Sequence, residues 1–257
     1  MLTRNEILRL KSLHSPKGRK NENAVLIEGL RLVEDCLESQ WPSLQLFIVE
    51  KNLEKPQYAT TLNLAQSVGI EPTPISQKDM ERISDTKNPQ GIALEIQIPD
   101  ECEDVQIADK ILYLDNISDP GNLGTIMRTA VWFGVEQILL SENCANIWNP
   151  KVVRSAMGAH FKIDCDVFNL DQLLSENPEL AHQVYGAYMD GKPLAEVEIN
   201  NSQWILVLGN EARGISENLE GFINQKITIE GSGFQESLNV AVASGIILNH
   251  INKDNLS

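Results

Sequence analysis

The feature that most constrains this chain is an alternation of short apolar runs with segments of helical apolar spacing. Ile111-Leu-Tyr-Leu and Ile205-Leu-Val-Leu are typical runs, each closed by a polar residue or a glycine. A run that short reads as a strand buried on both faces. Strands alternating with helices predict an α/β fold with a mostly parallel sheet covered on both sides. The longest unbroken apolar run is five residues, Trp204 to Leu208. A membrane-spanning helix needs roughly 18, so no span is expected.

The alternation falls into two segments. In the first, helices are expected at 4–13, 29–37, 58–67 and 77–83, and strands at 24–28, 44–49, 70–74 and 91–96. The stretch from Ser15 to Asn23 reads as a loop. An acidic, apolar-poor stretch opened by Pro99 suggests a boundary at 97–108, giving domains 1–98 and 99–257. In the second segment strands are expected at 111–115, 137–140, 162–167, 184–189, 205–208 and 226–229. Helices fit 123–133, 151–157, 170–176 and 237–251. Ligands of parallel sheets bind beyond the carboxyl ends of the strands, so the loops after Asp115, Leu208 and Ile229 are the expected functional positions.

Charge narrows the partners. The formal net charge is −15, which is adverse for a nucleic-acid binder because phosphate contacts need Lys and Arg. Residues 1–98 carry 12 basic against 13 acidic side chains, and residues 99–257 carry 9 against 23. The deficit therefore lies in the second segment. Arg4, Arg9, Lys11, Lys17, Arg19, Lys20 and Arg31 leave a local excess of base near the N-terminus. By charge alone this reads as a solvated helix and loop, and a basic arm is the alternative. Cys36, Cys102, Cys144 and Cys165 are 66, 42 and 21 residues apart, with no Cys-x-x-Cys pair. Reduced thiols in a cytoplasm are the expectation. The four histidines form no ligand pair, so no metal is expected. The first residues show no apolar export signal.

Three loops have unusual chemistry. In the first, Pro120-Gly121 makes a turn and Asn122 can cap the following helix. That helix is apolar apart from its threonines and Arg128. Gly124, one turn earlier, leaves room for the guanidinium. A buried arginine needs a partner, which favours a functional role over a surface ion pair. The spacing Gly121-x-x-Gly124 is not a dinucleotide fingerprint, and no P-loop motif occurs. The second loop, Gly209-Asn-Glu-Ala-Arg-Gly-Ile-Ser216, follows an apolar strand. Its glycines permit close backbone approach, and Glu211 is a strand-end carboxylate; the plain alternative is a turn with a cap at Ser216. The third runs from Ile229 into a helix apolar nearly all round, expected to be buried in a core or against a second subunit. Ser237 and Asn239 stand at its entrance, readable as an N-cap and a first-turn residue.

Taken in register, these loops resemble the SpoU (TrmH-like) RNA 2′-O-ribose methyltransferases of the knotted SPOUT class. Asn122 with Arg128 matches the first family motif, Gly209-Asn-Glu-x-x-Gly-Ile-Ser the second, and Ser237-Leu-Asn-Val-x-Val-Ala the third. Glu28-Gly-Leu-Arg-Leu-Val-Glu-Asp resembles the ribosomal-protein-like substrate-binding domain that precedes such catalytic domains. The resemblance implies a deep trefoil knot in the C-terminal part, a rare exception to unknotted topology. It implies S-adenosylmethionine as cofactor, lined by Gly209, Ile229 and Leu238. It places Arg128 at the target ribose with Asn122, Glu211, Ser237 and Asn239 around it. It also implies a homodimer through the helix at 237–251 and an RNA substrate, ribosomal RNA first and transfer RNA second. RNA affinity would come from the N-terminal arm with Lys151 and Arg154. One departure stands out: Glu230-Gly231 replaces the family's Pro-Met, which loosens a cofactor loop. A non-catalytic knotted RNA-binding factor is the alternative from another class. A nicotinamide-dependent enzyme is disfavoured by the missing fingerprint.

Overall fold

The computed structural model describes residues 1–99, 106–199, 203–234 and 237–252. Residues 100–105, which include Cys102 and half of the expected domain boundary, lie outside the described residues. In chain order the elements are α1 (Arg4–Ser12), α2 (Pro16–Glu22), β1 (Ala24–Glu28), α3 (Leu30–Glu38), β2 (Ser43–Val49), α4 (Ala59–Ser67), β3 (Pro72–Ile75), α5 (Gln77–Ile83) and β4 (Ile92–Gln97). There follow β5 (Lys110–Leu114), α6 (Pro120–Trp132), β6 (Gln137–Leu140), α7 (Pro150–Ala156), β7 (Asp164–Val167), α8 (Leu170–Glu176), β8 (Val184–Pro193), β9 (Trp204–Leu208), β10 (Gln225–Thr228) and α9 (Val240–Ile251). No described helix is long and apolar enough to cross a membrane.

The chain forms two compact units, residues 1–101 with 148–161, and residues 102–147 with 162–257. The first holds a four-stranded sheet in the order β1-β4-β2-β3. Strand β4 runs antiparallel to β1 and β2, and β3 runs parallel to β2. Alternate residues of its strands (Ala24, Leu26, Phe47, Val49, Ala93) bury against Ile7, Leu10 and Leu13 of the N-terminal segment and Met80 and Ile83 of α5. Glu95 lies on that face too, and Arg9 satisfies it with two hydrogen bonds of 2.5 and 2.8 Å.

The expected loop at Ser15–Asn23 is a helix. Ser15 accepts a hydrogen bond from Gly18 N at 3.1 Å, Pro16 occupies the first turn, and Asn23 ends the helix in the left-handed region at φ 48°. These are strong start and stop signals, and the lack of apolar spacing had masked them. Gly18 lets α2 lie against α1, since a Cβ there would stand 2.0 Å from Ser12 O. Arg19 is buried, and its guanidinium donates to Leu13 O and His14 O at 3.2 and 3.0 Å. Burial pushes its pKa down.

The segment 148–161 groups with the first unit, whereas the sequence assigned all of 99–257 to the second domain. Trp41 stacks with Trp148 and Phe161 at centroid distances of 5.8 and 5.3 Å. A Cβ at Gly158 would meet the Asp35 carboxylate at 2.6 Å. Arg154 is tied to Asp85 at 2.7 Å, so it is not the free cation the sequence suggested.

The second unit is the expected parallel α/β domain. Its six strands run in the order β10-β8-β9-β5-β6-β7, all parallel. The central strands are buried at every residue from Ile111 to Leu114 and from Trp204 to Leu208, which is why they read as unbroken apolar runs. Leu114 pairs with Leu208 on one side and Leu140 on the other, so these strand ends are level. On one face α8 contributes Leu170, Leu173 and Leu174 to the core. Helices α6 and α9 pack on one another. Within the single chain α9 buries Val240, Ala241, Ile247, Leu248 and Ile251 and leaves Val242 52% and Ile246 39% exposed, so of the two expected settings the core covers only part of the helix.

Candidate active site

The second unit directs three loops from one end of its sheet: those after the adjacent strands β5 and β9, and that after β10, which is separated from β9 by β8. They meet in two layers of polar contacts. The lower layer rests on Asp115, only 2% exposed. Its Oδ2 accepts from the backbone N and the hydroxyl of Ser216, each at 2.7 Å. Its Oδ1 accepts from Asn116 Nδ2 at 2.7 Å. A buried carboxylate satisfied in this way holds its donors firmly. Asn116 takes the left-handed conformation, φ 56°, and its carbonyl accepts from Asn210 Nδ2 at 2.8 Å. The loop after β9 is thus stitched to the loop after β5.

That second loop is tight. Asn210 and Gly214 exchange backbone hydrogen bonds of 3.0 and 2.9 Å, and Asn210 Oδ1 accepts from Ala212 N and Arg213 N. Gly209 lies directly beneath the returning strand. A Cβ on it would stand 2.2 Å from Gly214 C and 2.3 Å from Ile215 N, backbone atoms that cannot move aside cheaply.

The upper layer joins the three sequence motifs. Asn239 Nδ2 donates to Asn122 Oδ1 at 3.0 Å, and Asn122 Nδ2 donates to Glu211 Oε1 at 2.5 Å. Donor and acceptor assignments of both amides are consistent along this relay. Asn239 Oδ1 also caps α9, accepting from Ala241 N and Val242 N. The capping roles therefore differ from those expected. Asp119 caps α6 by accepting from Asn122 N at 2.9 Å, which frees the Asn122 side chain for the relay. Asn239, not Ser237, caps α9. Ser216 serves Asp115 and makes no side-chain cap hydrogen bond.

The remaining predicted residues are placed as follows. Arg128 is on the exposed face of α6 and makes no hydrogen bond or ion pair with the described residues. The argument from a buried charge is thereby overturned, and so is the alternative of a surface ion pair. The helix turns Arg128 away from the core that takes Leu123, Ile126, Met127 and Ala130. Ser237 is exposed and outside the relay, Leu238 is 48% exposed, and Ile229 is half-buried. Gly209 follows β9 and Ile229 follows β10, the two strands that flank β8. Asp115, Asn116, Asn210 and Ser216 form a supporting layer to which the sequence assigned no such role, although Asn210 and Ser216 belong to the second motif. Their signal was an aspartate directly after an apolar strand, with Asn and Ser on either side of Gly214 in the next loop.

Parallel topology with polar loops converging at one edge defines an α/β domain whose ligand site lies beyond its strand ends. The sequence matches the SpoU rRNA Methylase family over residues 109–249 and the MRM3-like substrate binding domain over residues 4–94. A Bacillus subtilis relative, 23S rRNA (guanosine(2553)-2′-O)-methyltransferase RlmP, is 35% identical over 94% of this chain and 93% of its own. The structure of a putative RNA methyltransferase of the TrmH family from Porphyromonas gingivalis is similar, with a TM-score of 0.84, 33% identity and 99% of both chains covered. An AdoMet-bound rRNA methyltransferase from Sinorhizobium meliloti superposes with a TM-score of 0.85 at 25% identity, covering 100% of this chain and 97% of that one. The chain belongs to the SpoU rRNA methylase family.

Proposed function

We propose that this protein is an S-adenosylmethionine-dependent RNA methyltransferase that methylates a ribose 2′-OH of ribosomal RNA. The observation that carries this reading is the relay Asn239–Asn122–Glu211, which unites all three loop motifs at the strand ends. The Bacillus subtilis relative, named as a 23S rRNA 2′-O-methyltransferase, supports ribosomal RNA as the substrate.

The residues fit the cofactor. Gly209 lets the loop after β9 close tightly against Gly214 and Ile215, and Ile229 and Leu238 offer apolar surface on the adjoining loop. When bound, S-adenosylmethionine supplies an electrophilic methyl group on a sulfonium. Glu211 and Asn239 fix the Asn122 amide in one orientation. Arg128 keeps its guanidinium donors free of internal partners among the described residues. It clamps the ribose hydroxyl or its phosphate and favours the alkoxide as the hydroxyl proton passes to bulk water. It is read as the clamp and not the base, because a guanidinium carries five donors and no ready acceptor.

On the first unit, Arg4, Lys11, Lys17 and Lys20 are exposed and outside the ion pairs of the described residues. Arg9, Arg19 and Arg31 are committed to Glu95, backbone carbonyls and Asp35. RNA phosphate is assigned to the four free cations. The same reading includes a homodimer through α9, the trefoil knot and a cytoplasmic setting. Calorimetry should give a saturable site for S-adenosylmethionine that S-adenosylhomocysteine competes for. Mapping of 2′-O-methyl groups in cells lacking the protein should show one ribosomal position lost. A lost transfer-RNA position would move the substrate, and no heat from a folded protein at millimolar ligand would remove the enzyme reading.

A further inference from the structure

In the second unit Tyr188 has a buried hydroxyl with no hydrogen-bond partner among the described residues. Buried hydroxyls are nearly always satisfied, so an orphan needs an explanation. The phenol belongs to β8, and sheet order places β8 between β9 and β10. Beyond β9 comes Gly209, and beyond β10 comes Ile229. An unsatisfied polar group thus stands between the two strand ends assigned to the cofactor.

The tyrosine is seated rather than adrift. Its ring lies over Gly186, where a Cβ would meet Tyr188 Cε2 at 2.6 Å, Ile223 Cγ2 at 3.0 Å and Ile215 Cδ1 at 3.1 Å. Lys226 Nζ sits 4.2 Å from the ring centroid and 3.5 Å from Glu220 Oε1. Beside it β8 bulges against β10, with the register shifting between Lys226 and Ile227. Bulges of this kind re-aim side chains at sheet edges and sites. Burial, then the carboxylates of Glu220, Asp190 and Asp115, raise the phenol's pKa. It stays a neutral hydroxyl that can both donate and accept. Apolar walls from Ile215 and Ile223 with one neutral hydroxyl suit a flat heterocycle and its sugar. The charged groups beside the ring, Lys226 and Glu220, are already paired with one another.

We infer that the Tyr188 hydroxyl is a hydrogen-bonding contact for the adenosine part of S-adenosylmethionine, an assignment that rests on the methyltransferase reading. Tyr188→Phe tests it, because the ring and its packing remain. Binding is measured by calorimetry with S-adenosylhomocysteine and with 5′-deoxy-5′-methylthioadenosine, which keeps the adenosine and lacks the amino acid. Loss of one hydrogen bond should weaken both by roughly 3- to 10-fold. The melting temperature without ligand should not fall, since the hydroxyl bonds no partner among the described residues. Unchanged affinities, or a loss confined to S-adenosylhomocysteine, overturn the contact while leaving the enzyme reading intact. A lowered melting temperature with unchanged affinity also overturns it, by showing an internal partner. Wild-type protein that binds neither compound overturns the methyltransferase reading and the contact together.

Discussion

An arginine on an exposed helix face that pairs with no acid among the described residues adds little to folding, so Arg128 separates catalysis from stability cleanly. Arg128→Ala should lose methyl transfer by roughly 10²–10³-fold, the usual cost of one preorganised donor. Cofactor affinity and melting temperature should stay near wild type. Arg128→Lys should also fail, because an ammonium lacks the planar fork that spans two oxygens. Single-turnover methylation beside a thermal melt reads both quantities. Wild-type turnover in Arg128→Ala would end the catalytic assignment. Asn122 shows how one residue's role depends on its neighbour: Asp119 takes the cap, and the Asn122 amide is left to bridge Glu211 and Asn239.

At the scale of elements, the loop of 209–216 is held by Asp115 below and Asn122 above, and its closure depends on Gly209. A methyl group there would lie 2.2 Å from Gly214 C. Gly209→Ala must therefore open the turn and shift Glu211 off Asn122. The expected outcome is loss of S-adenosylmethionine binding by at least tenfold in calorimetry. A drop in stability of about 1–3 kcal/mol should accompany it, the range for overpacking. Unchanged affinity would show that the turn can relax without moving the site. The same loop explains a limit of motif reading. Asn210 and Ser216 look like turn residues, yet they bond to Asn116 and Asp115 roughly 100 positions earlier in the chain.

At the scale of the whole molecule, α9 leaves Val242 and Ile246 exposed, and Trp132 on α6 is 79% exposed. The exposed apolar side chains on these helices form the face to which the proposed dimer is assigned. The expected particle in light scattering is a dimer of about twice the 28.6 kDa chain. Val242→Glu with Ile246→Glu should halve that mass and reduce methyl transfer. A monomeric wild-type protein at micromolar concentration would contradict the assignment. The charge distribution fits a division of labour, since the free cations Arg4, Lys11, Lys17 and Lys20 lie on the first unit while the acid excess lies in the second segment. RNA binding through four phosphate contacts should weaken with salt with a log–log slope of about −3 to −4, shallower than that of a protein making many contacts.

Local signals in the sequence determined most elements and the parallel α/β class. The runs at Ile111 and Trp204 are apolar throughout because both faces of their strands are covered, and that burial is written residue by residue. The three motifs likewise marked Asn122, Glu211 and Asn239, because polar residues cannot sit at strand ends and helix starts without a local reason. Only the tertiary structure decided which cap each helix uses, that Arg128 faces outward, that Arg154 is spent on Asp85, and that 148–161 packs with the first unit. It alone revealed Asp115 as the anchor of the site and Tyr188 as a hydroxyl without a partner. Each of these depends on which distant backbone or side chain comes within about 3 Å, and hydrophobic periodicity carries no record of that.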